Sequence, residues 1–267
     1  MTDIEIFGAG VTRLICPMQR FASVNAWILG EPGDQGIVDT GMPGAPTEAL
    51  WHKAEAQGRI SGVSTLVCTH MHRDHTGQAP RLLTRYDVPL FMSAPEHAHI
   101  AAASSARADL RRASLQAFLK LVGVETAARE SVEPIDYSML APFTPAFSAL
   151  DDGDVLRLGG KDWRVIIGGG HSSAGVCLVA LDGSLFAAGD QILPGAGPHI
   201  TVWSETPEAD PLGAYFAFLD RLSPLPDTML VLPGHGAPFT GLAAHAARLR
   251  QAHEARLDMV LSGIKGA

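Results

Sequence analysis

Residues 69–75 read Thr69-His70-Met71-His72-Arg73-Asp74-His75, and no other stretch of the chain carries as much chemical information. It places three imidazoles and one carboxylate within six consecutive positions. A protein core accommodates such a cluster poorly, because each buried polar group must find a partner or lose its charge. Neutral imidazole and carboxylate are ordinary zinc ligands. The stretch therefore predicts part of a metal site rather than a polar loop with chance histidines.

A short apolar segment at residues 64–68 precedes this cluster and is typical of a buried strand. Residues two apart at a strand end share a face, so His70 and His72 are expected to bind one ion. Asp74 and His75 are then predicted in the following loop, free to turn toward a second ion. A helical zinc motif would need histidines four apart with a glutamate beside the first, and this pattern is absent.

Three later segments repeat the design of an apolar strand that ends in a histidine or an aspartate. Such runs occupy residues 163–167, 184–189 and 228–232, and they lead to His171, Asp190 and His235. Taken singly, Asp190 could cap a turn and His235 could be a loop histidine. The fourfold recurrence favours one shared metal site at strand ends.

These motifs, in this order, resemble those of the metallo-β-lactamase-fold hydrolases. The matching segments are His70-x-His72-x-Asp74-His75, Gly170-His171-Ser172, Ala188-Gly189-Asp190, Pro233-Gly234-His235-Gly236 and an earlier Ile37-Val38-Asp39-Thr40-Gly41. The likeness extends from about Thr12 to Phe239. It implies an α/β fold, the αββα sandwich, and it does not specify a substrate because one fold hosts many reactions.

The resemblance also implies two divalent metal ions, with zinc expected and iron or manganese as alternatives that suit the same donors. It assigns one ion to His70, His72 and His171, and the other to Asp74, His75 and His235. Asp190 would bridge the two ions, and Asp39 would orient a ligand from outside. A hydroxide shared by the ions would attack an ester, thioester or lactone carbonyl, and Asp74 and Asp190 are the catalytic carboxylates predicted near it.

Two of these residues, Asp190 and His72, indicate which members of the family the chain resembles most. Some β-lactamases of this fold lack the bridging acid, so Asp190 makes the chain similar to glyoxalase II, lactonase and nuclease members. Diiron flavoprotein members carry a glutamate in place of His72, so hydrolysis is favoured over oxygen reduction. Glyoxalase II makes most of its glutathione contacts in a further C-terminal region, so glutathione thioesters are not specifically indicated.

Three alternatives stay open. A phosphodiesterase or endoribonuclease would need a basic groove, and Arg111, Arg112 and Lys120 form the only modest basic cluster near the proposed insert. A β-lactamase is disfavoured by Asp190 and by the lack of an apparent export signal. A metal-binding module without catalysis would bind the ions but turn over no ester.

Bulk properties fit an enzyme of this size, and a small-molecule acyl substrate is the partner that the resemblance implies. At 267 residues and 46% hydrophobic, the chain is long enough to form one domain over residues 1–267. The net charge of −8 argues against a nucleic-acid partner. Three unclustered cysteines indicate no disulfide framework, and no run is long enough to span a membrane, so a cytoplasmic location is expected.

A helical insert at about residues 94–146 interrupts the predicted strands. Its helices are expected at residues 95–103, 106–121 and 125–131, with one apolar stripe formed by Leu110, Leu115, Phe118, Leu119 and Val122. The insert is interpreted as surface packing, as a lid, or as a dimer element, so a homodimer is one expectation. His97 and His99 within it are predicted on the helix surface rather than as ligands.

Two further segments complete the predictions. The Pro- and Gly-rich stretch at residues 193–203 starts beside Asp190, so His199 and Trp203 are predicted to contact substrate. The three glycines at 168–170 are expected to let the backbone approach the metal. A long helix is predicted over residues 242–264, with His245 and His253 on its solvated face.

Overall fold

The computed structural model describes residues 3–8, 10–18, 23–140, 143–204 and 206–265. The ends of the predicted 1–267 domain and residues 141–142 of the predicted insert lie outside these ranges, and the single-domain assignment stays a prediction. Within the described ranges, no helix is both long enough and apolar enough to cross a bilayer.

The first sheet has seven strands in chain order. They are β1 (Ile4–Phe7), β2 (Val11–Cys16), β3 (Val24–Leu29), β4 (Gln35–Val38), β5 (Val63–Val67), β6 (Leu90–Met92) and β7 (Phe147–Ala149). Strands β1 to β4 pair antiparallel, whereas β4 to β7 pair parallel. Because neighbouring parallel strands end at the same edge of a sheet, β4 and β5 deliver their following residues side by side.

The second sheet has five strands, β8 (Val155–Leu158), β9 (Lys161–Gly168), β10 (Gly175–Ala180), β11 (Leu185–Gly189) and β12 (Leu230–Pro233). Their order is β12-β11-β10-β9-β8, and only β11 and β12 pair parallel. Turns at residues 159–160 and 182–183 join β8 to β9 and β10 to β11 as antiparallel hairpins.

Eight helices flank the sheets in the described residues. They are α1 (Ala45–Ala56), α2 (Arg73–Thr76), α3 (Ala79–Tyr86), α4 (Ala94–Ser105), α5 (Ala108–Leu121), α6 (Thr126–Glu130), α7 (Pro211–Leu222) and α8 (Leu242–Lys265). The prediction of a loop at Asp74 and His75 is wrong, because both lie in α2. A four-residue helix is too short to show a periodic pattern in sequence.

Three apolar layers hold the fold together. Trp27 and Val67 of the first sheet pack with Trp163 and Leu178 of the second, so the two sheets face each other. Trp51, Leu82 and Ile100 lie in a second core that joins α1, α3 and α4 to the first sheet. Phe218, Leu219 and Leu249 lie in a third core that joins α7 and α8 to the second sheet. The predicted αββα sandwich is confirmed.

The insert lies between β6 and β7 and contains α4, α5 and α6, as predicted. Helix α4 packs into the fold, with Glu96, Ile100 and Ser104 buried. Helix α5 buries no residue, and Leu110 and Val122 of the predicted stripe are 60% and 55% exposed. The insert therefore has a packed base and a loosely packed tip.

The predicted C-terminal helix is confirmed as α8, but the prediction of a solvated His245 is wrong. His245 is buried, its Nε2 lies 2.7 Å from the carbonyl oxygen of Leu193, and Phe239 packs edge-on against its ring. The segment after Asp190 folds onto α8, a long-range contact with no signal in the helix sequence.

Candidate metal centre

Four strand ends deliver the predicted ligands to one place. His70 and His72 follow β5 of the first sheet, whereas His171, Asp190 and His235 follow β9, β11 and β12 of the second. All seven predicted ligand residues fall into groups whose donor atoms lie within 4.8 Å of one another. The structure thus brings together every residue that the resemblance assigned to the metals.

Three imidazoles form the first group, called here the three-histidine group. The Nε2 atom of His70 lies 2.9 Å from Nδ1 of His72, and Nε2 of His171 lies 3.1 Å from the same Nδ1. Three nitrogen atoms that converge in this way suit a divalent cation that takes imidazole ligands.

Asp74, His75 and His235 form the second group, called here the mixed group. Nε2 of His235 lies 3.3 Å from Oδ2 of Asp74 and 3.3 Å from Oδ2 of Asp190. The same Oδ2 of Asp190 lies 3.5 Å from Nε2 of His171, which belongs to the three-histidine group. Asp190 therefore lies between the two groups, the position that a bridging carboxylate would take.

The outward ring nitrogens are bound by the protein. His75 Nδ1 donates to Asp39 Oδ2 at 2.7 Å, His171 Nδ1 to the carbonyl oxygen of His199 at 2.9 Å, and His235 Nδ1 to that of Ser23 at 2.6 Å. A hydrogen bond at Nδ1 fixes the tautomer and leaves Nε2 free as a metal donor.

Asp39 supports both groups. Its carboxylate accepts hydrogen bonds from His75 and from the backbone N–H and hydroxyl of Thr69, at 2.7 to 3.0 Å. Since the Thr69 hydroxyl donates to Asp39, its oxygen accepts from Nδ1 of His70 at 3.0 Å. Asp39 has a φ of +61°, a left-handed conformation that aspartate and asparagine tolerate better than most residues.

The chemistry of the donor atoms fits a bound cation. Among the described residues, the buried atoms His75 Nε2 and Asp190 Oδ1 have no hydrogen-bond partner, although only 3.4 Å separates them. Buried polar atoms are rarely left unpaired without a functional reason. Asp190 can lie this close to residue 234 only because that residue is glycine, since a Cβ atom at Gly234 would lie 2.0 Å from Asp190 Oδ1.

Two members of the three-histidine group, His70 and His72, are uncharged. Burial, reinforced by the neighbouring imidazoles, lowers the pKa of His70 well below its ordinary value. Burial and the proximity of His171 lower the pKa of His72 to about 3. Both rings are therefore ready to bind metal without losing a proton.

The mixed group is ionic. Burial opposes charging of His235, but Asp190 and Asp74 outweigh it and raise its pKa to about 10. Burial likewise opposes charging of His75, and three surrounding carboxylates raise its pKa well above the ordinary value. In turn the two imidazoles overcome burial and lower the pKa of Asp74 to about 2 and that of Asp190 well below its usual range. Protonated imidazoles therefore balance these carboxylates when no cation does.

The two residues predicted to contact substrate, Trp203 and His199, lie in different surroundings. The Trp203 ring lies edge-on to His72 with 5.5 Å between ring centroids, so it forms one wall beside the three-histidine group. His199 is exposed and contributes its backbone carbonyl to His171. Contact of either side chain with substrate stays a prediction.

The expectation for the glycines at 168–170 is corrected. A Cβ atom at Gly168 would lie 2.7 Å from the ring of Phe218, and one at Gly170 would lie 2.6 Å from Cβ of Tyr215. The glycines thus make room for α7 rather than for the metal.

Sequence reasoning missed several polar residues that support the centre. Asn25 donates to the carbonyl oxygens of Pro233 and Gly236, on either side of His235, and Arg13 donates to Gly236 as well. Polar residues inside the apolar strands β2 and β3 are the available signal. Glu96 of α4 was also missed, and nothing in the helical insert sequence indicates its burial.

Comparison with known proteins agrees with the fold and the motifs. The sequence profile of the family described as the Metallo-beta-lactamase superfamily matches residues 20–235. A crystal structure of a beta-lactamase domain protein from Burkholderia ambifaria superposes with a TM-score of 0.82 at 29% identity, covering 96% of this chain and 74% of that chain.

Two curated relatives are more distant. The Bacillus subtilis protein named "Probable metallo-hydrolase YflN" is 24% identical over 224 residues, which are 79% of this chain and 78% of the relative. An "Atrochrysone carboxyl ACP thioesterase" from Emericella nidulans is 26% identical over 247 residues, which are 92% of this chain. The match spans only 62% of that thioesterase's length.

Proposed function

The chain belongs to the metallo-β-lactamase superfamily, and we propose that it is a dinuclear metal-dependent hydrolase of a carboxylic ester, thioester or lactone. One observation carries the proposal. Two groups of converging donor atoms lie on either side of Asp190, and the buried inward atoms of His75 and Asp190, an ion pair 3.4 Å apart, have no hydrogen-bond partner among the described residues. A structural core would hydrogen-bond these atoms, whereas a metal centre uses them as ligands.

The proposed division of ligands follows the geometry. His70, His72 and His171 would hold one cation, Asp74, His75 and His235 the other, and Asp190 both. Divalent cations bound there would supply Lewis-acid polarisation of a carbonyl and a water of lowered pKa. We expect zinc, with iron or manganese as alternatives, because His and Asp donors suit all three.

Residues of the protein hold the imidazoles in fixed orientations and can handle the proton of the attacking water. Asp39 and the carbonyls of Ser23 and His199 hold the imidazoles in place, so little reorganisation is needed when substrate arrives. Asp74 stays ionised at neutral pH and can accept a hydrogen bond from the attacking water. We assign Asp74 and Asp190 to handling the proton that passes from this water toward the leaving group.

Support for an acyl substrate comes from two directions. A curated relative is named a thioesterase, and another is named a metallo-hydrolase. The phosphodiester alternative needs several free cations in a groove, but Arg111 pairs with Asp136 and Arg112 with Glu133, which leaves Lys120 as the one member of this basic cluster without an ion pair among the described residues. We therefore favour a small-molecule acyl substrate over nucleic acid. The three buried, unpaired cysteines suit a reducing compartment, and we place the enzyme in the cytoplasm.

A hydrolysis screen tests the proposal. Metal-replete protein would be assayed on thioesters, carboxylic esters, lactones, β-lactams and phosphodiesters, with metal content measured in parallel. We expect turnover on at least one acyl substrate, lost in His72→Ala and kept in His52→Ala, a matched change at an exposed histidine of α1. Turnover of phosphodiesters alone, or acyl turnover that survives both metal removal and His72→Ala, would refute the proposal.

A further inference from the structure

Glu96 is a buried carboxylate that the proposed mechanism does not use. It lies on α4 at the base of the insert, and its side chain is fully buried. Removing a carboxylate from water is costly unless donors or counter-charges replace the lost hydration. Among the described residues, no lysine, arginine or histidine forms an ion pair with it, so its stabilisation comes from hydrogen-bond donors alone.

Those donors come from two segments that both carry metal ligands. Oε2 of Glu96 accepts the backbone N–H of Met71 at 2.9 Å, and Met71 lies between His70 and His72. Oε1 accepts the backbone N–H of Ala174 at 2.7 Å and the hydroxyl of Ser173 at 3.0 Å. Ser173 lies two residues after His171, so one carboxylate joins the two segments.

The contacts are selective. The three ligands on these segments, His70, His72 and His171, are the members of the three-histidine group. In the mixed group, His75 is held by Asp39 and His235 by the Ser23 carbonyl, and Glu96 hydrogen-bonds to neither residue. Glu96 therefore supports one of the two candidate metal sites and makes no direct contact with the other.

Other hydrogen bonds hold these segments in place without Glu96. The N–H of Val176 donates to the carbonyl oxygen of Thr69 at 2.8 Å and joins the two segments, and the hydroxyl of Ser93, the residue before α4, donates to the carbonyl oxygen of Ala174 at 2.7 Å. These bonds and the surrounding core are expected to preserve the fold when Glu96 is changed. The role left for Glu96 is the fine separation of the ligands rather than the existence of the fold.

We propose that Glu96 is a positioning residue that sets the distance between the His70–His72 segment and His171, and thereby selectively strengthens metal binding by the three-histidine group. The insert then contributes to the centre through its packed base. This inference rests on the proposed function only in that divalent cations bind both groups.

The test is a cobalt titration of metal-free protein, followed by visible absorption and by calorimetry. Glu96→Gln keeps the shape of the side chain, but in either amide orientation its NH2 group faces the N–H of Met71 or of Ala174. We expect two binding events in the wild type. One of them should weaken by about 10–100-fold in Glu96→Gln, the range for residues that orient metal ligands.

Two further variants identify the affected site. His171→Ala removes one imidazole of the three-histidine group, so the event it eliminates should be the event that Glu96→Gln weakens. Glu55→Gln is the matched control, because Glu55 accepts hydrogen bonds from Arg85 and Tyr86 and contacts no ligand-bearing segment. It should leave both events unchanged.

Several results would overturn the inference. They are unchanged binding in Glu96→Gln, equal weakening of both events, an equal effect of Glu55→Gln, or a wild type without two resolvable events. If Glu96→Gln does not fold, Ser173→Ala removes one donor only and should weaken the same event to a smaller extent, and no weakening there counts against the inference. A wild type that binds two cobalt ions but hydrolyses no acyl substrate would refute the proposed function and leave this inference standing.

Discussion

Loading the metal-free protein with a divalent cation at about pH 7.5 is expected to release about two protons per chain. The protons come from His235, whose pKa is raised to about 10, and from His75, whose pKa is also raised. Both imidazoles must become neutral before they can bind metal. His70 and His72 contribute none, because burial already keeps them neutral, and Asp74 and Asp190 are already ionised.

The same protons set how metal affinity depends on pH. Each proton displaced changes the apparent affinity by a factor of ten per pH unit, so two protons give about 100-fold per unit over the range in which both imidazoles are protonated in the metal-free protein. The slope should fall as the pH approaches 10, where His235 itself loses its proton.

Calorimetry in buffers of different ionisation enthalpy measures the released protons directly. His235→Asn removes one of the two proton carriers, and its release should drop to about one proton. His52→Ala, a change at an exposed histidine, should still release about two. Release of fewer than about half a proton by the wild type, or unchanged release by His235→Asn, would show that carboxylates do not hold these imidazoles charged.

Three further predictions concern the supports of the centre and its charge. Gly234→Ala places a Cβ atom 2.0 Å from Asp190 Oδ1, so we expect a loss of about 1–3 kcal/mol in unfolding free energy and about 100-fold in kcat/KM. Thermal unfolding and kinetics check this, and a wild-type rate would contradict it. Asp39→Asn tolerates the same left-handed backbone but replaces a carboxylate that accepts from His75, so metal affinity measured by chelator competition should fall about 10–100-fold, and no change would count against it. In the metal-free protein, His235 has a folded pKa of about 10, above its unfolded value of about 6.5, so its stabilisation is complete below about pH 6.5 and is lost as pH rises through 10. Asp74 has a folded pKa of about 2, below its unfolded value of about 3.9, so its stabilisation is present above about pH 4 and is lost as pH falls through 2. His70 and His72 have lowered folded pKa values, so they destabilise the fold as pH falls below about 6.5. Denaturant unfolding with chelator present should therefore show a maximum near pH 6.5, and a maximum above about pH 8 would contradict the assignment.

Much of the centre could be predicted from sequence because its ligands follow strands. Each of β5, β9, β11 and β12 is an apolar run that ends in a histidine or an aspartate, a local pattern that needs no tertiary information. The αββα order follows from the family resemblance. The identity of the ligand residues can therefore be predicted from sequence, whereas the distances between them cannot.

The supporting residues could not be predicted, because their burial depends on segments distant in the chain. Glu96 reaches Ala174 across 78 positions, and Asn25 reaches Pro233 across 208. His245 was expected in solvent because the helix pattern around it is polar, yet the loop at Leu193 covers it. The apolar stripe of α5 misleads in the opposite sense, since it predicts a buried face, whereas Leu110 and Val122 are exposed and no residue of α5 is fully buried.

The division of the ligands between the two sheets has a consequence for folding. His70, His72, Asp74 and His75 follow the first sheet, whereas His171, Asp190 and His235 follow the second. A bound ion would therefore act as a cross-link that closes a long chain loop, in the way that a disulfide does, in a protein whose described cysteines are all unpaired. Metal at about 100 times its dissociation constant would add about 2.7 kcal/mol to the free energy of unfolding. A cation used in catalysis would then also stabilise the packing of the two sheets against each other.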